Sequence, residues 1–391
     1  MASTHTLFTR DRFTWQAYLG LAYFAYFQAA LGPLMPFLRD ELRLSYTVGG
    51  LHFSAFALGM MLAGSIGDLV AAKWGRYRTF WGGGIGMVIG IILFSLGQTV
   101  AVTIISAFLM GSLGALVLVM VQSTLSDQHG DNRAVALTEA NILASVAASM
   151  APFLVGGFQL ISIGWRGGIL IAILWWGSMI ALFGREQLPK MQVDTSESTN
   201  KKPRRKLPMI YWYYWIIIFL GVSVEWSIGF WGADFLNVDV GLSRENAVTF
   251  LSVFFIASII GRIIGSRLTH FLPMASLLLI ATIISIVGFL LYWQSPIKSL
   301  NIAGLFVTGI GISNVFPICL SISSSVVTPA QSDIASGRIS LGAGAAILIA
   351  PQILGVVADQ TSIRTAYVIV LVLLIFAVGM TIIANRASAS T

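Results

Sequence analysis

Apolar residues in this chain come in long blocks, broken by short polar or charged stretches rather than alternating with them. A helix that crosses a bilayer needs about 20 mostly apolar residues, and twelve blocks meet that length. The first six lie near residues 15–37, 46–71, 79–97, 100–125, 134–160 and 165–183. A polar connector, 185–208, follows. The second six lie near 210–236, 247–268, 274–293, 300–325, 334–358 and 366–384. Twelve crossings put both termini on one side of the membrane, in an all-α integral membrane fold.

Composition agrees with lipid as the main solvent. The chain has 391 residues, of which 57% are hydrophobic and 10% charged, with a mean hydropathy of +0.85; soluble domains carry about 25% charged residues. The 39 glycines suit helices that approach closely in a membrane. The net charge of +7 does not imply nucleic acid, because its densest run (Lys201, Lys202, Arg204, Arg205 and Lys206) sits in the connector between apolar blocks. With both termini inside, 17 of the 23 Lys and Arg residues face the cytoplasm. The positive-inside rule then sets the orientation as N-in, C-in across a cell (inner) membrane. The polar N-terminus has no cleavable signal pattern, so the first helix is expected to be retained.

The two halves repeat. Shifted by 198 residues, Phe37-Leu38 falls on Phe235-Leu236, Leu44-Ser45 on Leu242-Ser243, Gly67 on Gly265 and Gly111 on Gly309; at 199, Ala151-Pro152 falls on Ala350-Pro351. Parallel six-helix repeats imply a pseudo-twofold axis along the membrane normal. The expected division is 1–184, a connector over 185–209, and 210–391.

One stretch, residues 64–78, carries a family resemblance. Lys73-Trp74-Gly75-Arg76-Tyr77-Arg78, after the second block, resembles the D-R-x-G-R-R/K signature of the major facilitator superfamily in all but its first residue. Ala72 stands at the signature's Asp, and the nearest acid, Asp68, is one turn earlier. Twelve blocks in two parallel halves with a charged connector extend the resemblance over the whole chain. It implies a monomeric secondary transporter, not an enzyme, whose helices 1, 4, 7 and 10 line a central cavity, with helix 2 packed on 11 and helix 5 on 8. The segment around Glu225 and Trp231 is similar to the fucose/glucose-type sugar symporter branch.

Ionisable groups inside spans are costly and are functional candidates by default. Glu225, mid-helix in the seventh block, is the deepest acid and the candidate for binding a proton or the substrate. With it, as cavity candidates, stand Tyr23, Phe27 and Gln28 of the first helix, Trp226 and Trp231 of the seventh, and Asn314 of the tenth. Glu139 and Arg338 each stand 13 residues before a proline, Pro152 and Pro351, and so are repeat equivalents of opposite charge. Given the helix neighbours that the family implies, Asp68 is expected to meet Arg338, and Glu139 to meet Arg262 or Arg267, as cytoplasmic gates beside the cationic turn of Lys73, Arg76 and Arg78. Pro33, Pro36, Pro152, Pro317 and Pro351 are expected to bend their helices.

No Walker loop, HExxH or CxxC occurs. No cofactor or metal is expected, and the single Cys319 cannot form an intrachain disulfide. The reading is alternating-access transport of a small polar solute, such as a sugar, by proton symport; the alternative is proton-driven export of lipophilic or drug-like compounds.

Overall fold

A computed structural model describes residues 9–189, 206–328 and 331–389. Lys201, Lys202, Arg204 and Arg205 of the basic run lie outside the described residues.

Among the described residues the chain forms twelve helical crossings. In chain order they are α1 (Arg12–Leu42), α2 (Tyr46–Trp74), α3 (Arg76–Leu96), α4 (Val100–His129), α5 (Arg133–Leu160) and α6 (Trp165–Phe183). The second half holds α7 (Met209–Val238), α8 (Arg244–Leu268), α9 (Met274–Gln294), α10 (Lys298–Ser325), α11 (Ser332–Gln360) and α12 (Ile363–Ala387). The apolar blocks locate every one of them and fall short mainly at charged ends. Helix α1 continues to Leu42 because Arg39, Asp40 and Glu41 at its end all find ionic partners.

Local signals set the ends. Asp11 caps α1 by accepting from the Thr14 N–H, at 2.8 Å. Ser45 and Ser243, matched by the 198-residue shift, cap α2 and α8 in the same way, accepting from the N–H of Val48 and of Asn246. Gly75 alone separates α2 from α3, at a φ of 82° that a side chain would strain. Helix α8 is interrupted at Leu251 and α10 at Ser313-Asn314, just before Pro317.

Helix α2 shows how a membrane helix divides its faces. Leu51, Leu58, Leu62, Ile66 and Leu69 are exposed at helical spacing, whereas Phe53, Phe56, Ala57, Ala63 and Ala71 are buried. Both faces are apolar, so one can meet lipid and the other protein. In the first half α2 packs on α4, α1 on α5 and α3 on α4; in the second, α9 packs on α10, α7 on α11 and α12, and α8 on α10. The halves meet through α2 with α11, α5 with α8, and α1 with α7, the first two as the family resemblance implies.

Candidate functional site

An even number of crossings gives the bundle a terminal end, with both termini and the connector, and a far end. Contacts between the halves concentrate at the far end. Arg39 of α1 donates to Asp234 of α7 at 2.6 Å, with 17% and 3% of their side chains exposed, and lies 3.4 Å from the centre of the Tyr46 ring. Arg244 of α8 reaches Asp40 of α1 at 3.0 Å. Asp359, in the last turn of α11, accepts from the N–H groups of Tyr46 and Thr47 at 2.7 Å each. It thus caps a helix of the other half, where the unpaired N–H groups and the dipole favour an anion. Nearby, Gln352 donates to the Thr47 carbonyl at 3.2 Å and Ser54 to the Leu348 carbonyl at 2.8 Å.

Beneath this polar layer lies an aromatic plug. The Phe53 and Phe230 rings stack at 4.2 Å, Trp231 stands edge-on to Phe53 and Tyr46, and its Nε1 donates to the Pro351 carbonyl at 2.8 Å. Helices α1 and α7 then cross backbone to backbone. A Cβ on Gly32 would lie 2.1 Å from the Gly229 carbonyl oxygen, so no other residue fits there without moving a helix.

One turn from that crossing toward the terminal end, Gln28 and Glu225 occupy equivalent places, four residues before Gly32 and Gly229. Glu225 is half-buried and paired with Arg262 of α8 at 3.4 Å. Arg262 also donates to Ser145 of α5 at 3.0 Å, linking the halves. Gln28, also half-buried, rests against Met60 of α2, and Trp226 leans on Phe230. Below the plug, Glu225, Arg262 and Ser145 thus form one run of polar contacts across the boundary between the halves, and Gln28 and Trp226 lie near the same level of α1 and α7.

The other cavity candidates lie elsewhere. Tyr23 and Phe27 are fully buried inside the first half, where Tyr23 packs on Trp175 and Trp176 of α6. Trp231 belongs to the plug. Asn314 bridges the break in α10: its amide donates to the carbonyls of Gly261 and Ile310, holding α10 against α8.

The gate candidates are not joined in this conformation. Glu139 is held within its own half by both nitrogens of an Arg10 fork, at 2.6 and 2.8 Å, and by the Tyr18 hydroxyl at 3.0 Å. Arg262 is taken by Glu225 and Ser145 instead, and Arg267 is exposed. Asp68 is exposed and enters no ion pair among the described residues, while Arg338 lies over the Trp212 ring at 5.0 Å. In this conformation each of these charges already has another partner or is exposed, so the expected pairs are not made. Lys73 and Arg78 are exposed. Arg76 is buried and holds Asp127 of α4 at 2.6 Å and the Pro189 carbonyl at 3.1 Å, fastening the start of the connector to its own half.

The far-end latch was missing from the sequence reading, although its signal was present. Asp234 falls inside the seventh apolar block, and an acid there demands a cation.

The family model of the Major Facilitator Superfamily matches residues 17–300 and 251–390. An uncharacterised MFS-type transporter of Yersinia pestis is 26% identical over 368 residues, covering 90% of this chain and 91% of the relative. Among solved structures, a bacterial homologue of the human lysosomal transporter Spinster, in an inward-facing and occupied conformation, superposes with a TM-score of 0.79 at 16% identity over 97% of this chain and 98% of that one. The nucleoside transporter NupG does so with a TM-score of 0.72 at 15% identity over 96% and 99%. Twelve crossings in two packed halves, a signature turn at Gly75 and a family match along the chain agree: this multi-pass membrane protein belongs to the major facilitator superfamily.

Proposed function

We propose that the chain is a proton-coupled symporter that moves a small polar solute by alternating access, working in a cell membrane with both termini cytoplasmic and as a monomer. Its rocking units are 1–184 and 210–391, joined by the connector 185–209. The observation that carries this reading is Glu225. It is a carboxylate one turn below the plug, and its partner Arg262 bridges to the other half through Ser145; in this reading the solute's cleft lies beside that pair.

In this scheme the far end faces outward and the present conformation is inward-facing. Closing the terminal end while opening the far end exchanges one set of ionic contacts for another. The register of the far-end contacts supports the partners. Thr47 meets Gln352, Ser54 meets Leu348 and Met61 meets Gly344. Two turns further along α2, Asp68 is carried to the level of the Arg338 turn of α11. On the other side Gly156 meets Thr249 and Ser145 meets Arg262, and the continuation brings Glu139 to the Arg267 turn. Closure would transfer Glu139 from Arg10 to α8 and Asp68 to Arg338.

Export of lipophilic compounds needs an aromatic cavity. Tyr23, Phe27 and Trp231 are all buried, so Gln28, Glu225 and Arg262 remain as candidates to meet a solute, which supports the polar one.

The test is uptake by purified protein in proteoliposomes, across a solute panel with an imposed pH gradient. A proton-driven solute should accumulate, and Glu225→Gln should abolish accumulation while leaving exchange of solute across the membrane. Undiminished accumulation in Glu225→Gln would defeat the assignment.

A further inference from the structure

Resting on the proton-symport reading of the same site, we propose that the solute is an organic monoanion whose carboxylate docks on Arg262 and displaces Glu225. The argument starts from how loosely Arg262 is held. Its Nη2 stands 3.4 Å from Glu225, whereas the Arg39–Asp234, Arg10–Glu139, Arg76–Asp127 and Arg166–Glu41 pairs all close to 2.6 Å; of the described pairs, Arg364–Asp239 at 3.3 Å is comparably long, but it lies beyond the end of α7. Its side chain is 43% exposed. A guanidinium offers five N–H donors in a planar fork, and here one meets Ser145 and another, at long range, Glu225. The donors that remain belong to this exposed side chain, and a guanidinium with free donors can take a carboxylate through two parallel hydrogen bonds.

Charge balance then fixes the valence. In the empty cleft, Arg262 and Glu225 neutralise one another. The other elements around the pair bring little charge to it. Helix α1 presents Gln28 and α5 presents Ser145; Glu139 of α5 is committed to Arg10, Arg338 of α11 to Trp212, and Asp68 of α2 stands toward the terminal end. An incoming carboxylate takes the guanidinium, and Glu225, 19% exposed and deprived of its cation, takes a proton. The loaded cleft is again neutral, so one anion and one proton cross together without net charge. A dianion would leave a surplus negative charge on a single arginine. A neutral solute would leave the Arg262–Glu225 pair intact and give the proton no reason to bind.

The experiment uses matched probes in proteoliposomes: glucuronate against glucose, and lactate against methyl lactate. Tracer uptake is followed together with internal pH, and the membrane potential is clamped with potassium and valinomycin. At least one carboxylate should enter with protons, independently of the potential, while its neutral partner is not carried. Glu225→Gln should retain carboxylate exchange and lose proton-driven accumulation. Arg262→Gln should weaken carboxylate uptake by at least about tenfold, the scale of a lost charge-assisted contact, and Arg262→Lys should fall between. If Arg262→Gln does not fold, the matched pairs on the unaltered protein decide. Proton-coupled uptake of the neutral probes alone would overturn the anion assignment and leave the symport reading standing. Carboxylate uptake driven by the potential without protons would overturn the electroneutral exchange and, with it, the symport reading. Transport of none of the probes would overturn the assignment.

Discussion

Removing Asp234 should open the far end of the molecule. Its carboxylate lies 2.6 Å across the boundary between the halves from Arg39, is 3% exposed, and holds a guanidinium that also covers the face of Tyr46 in its own half. Breaking a buried ion pair by deleting one member costs about 3–5 kcal/mol, because the remaining charge is left unpaired. Arg39 is 17% exposed, so water recovers part of that, and about 2 kcal/mol is a reasonable share of the far-end-closed state's advantage. When the halves separate, both charges hydrate, so the loss falls on the closed state alone. A shift of about 2 kcal/mol moves the equilibrium roughly thirtyfold toward far-end opening. The assay is thiol labelling. Cys319 is the only cysteine, so Cys319→Ala gives a clean background, and Ser54→Cys places a reporter on α2 where it faces α11. Labelling by an impermeant maleimide should accelerate by about tenfold or more in Asp234→Ala, and Arg39→Gln should act in the same direction. A rate unchanged within about twofold in both variants would show that the pair does not latch the two halves.

Other expectations follow from the same contacts. Asp359→Ala removes two cross-half N–H acceptors and should shift the same reporter by about 1 kcal/mol, roughly fivefold; no change would make the cap incidental. Asp68→Lys should favour the state open at the terminal end, and adding Arg338→Asp should restore the balance; labelling that fails to return in the double variant would sink that pairing. Gly32→Val must push α1 from α7 and should destabilise the protein by about 1–3 kcal/mol in thermal unfolding in detergent. Gly64→Ala, which meets nothing within 4 Å, should be neutral or slightly stabilising; equal effects would count against the crossing. Beyond the end of α7, burial raises the carboxyl of Asp239 above its ordinary range although Arg364 opposes the shift. Its contribution to stability is therefore full below the unfolded pKa of about 4 and is lost as pH rises through the raised value. Asp239→Asn should flatten that part of the pH profile of unfolding, and an unchanged profile would assign the dependence elsewhere.

The crossings were legible because lipid solvation demands long apolar runs, and that demand does not depend on what packs where. The site was only half legible, because it depends on helix rotation. A shift of 198 residues set Glu225 against Phe27, whereas the crossing of Gly32 with Gly229 sets it against Gln28. One residue is about 100° around a helix, enough to set Phe27, which packs on Tyr23 and Tyr26, apart from Gln28, which meets Met60 of α2. Tyr23 was misplaced by the same ambiguity, since aromatic residues on α1 satisfy either face. Trp231 packs on Tyr46 and Phe53 and donates to the Pro351 carbonyl, contacts that no local pattern shows, since plug and wall both take an aromatic residue. The gate partners depend on conformation: a charge pattern lists acids and bases, and the state of the bundle decides which of them meet.

The Gly32–Gly229 crossing also sets a mechanical ratio. Measured along α1, it lies ten residues from Leu42 and twenty from Arg12; at 1.5 Å per residue these arms are about 15 and 30 Å. Helix α7 divides in nearly the same proportion, with Val238 on the short arm and Met209 on the long one. If the crossing is the fulcrum, a given tilt displaces the terminal end about twice as far as the far end. Small movements at the Arg39 and Asp359 latch are then amplified where Asp68, Glu139 and the connector must part and rejoin. Spin labels on the long arms should report wider swings between states than labels on the short ones.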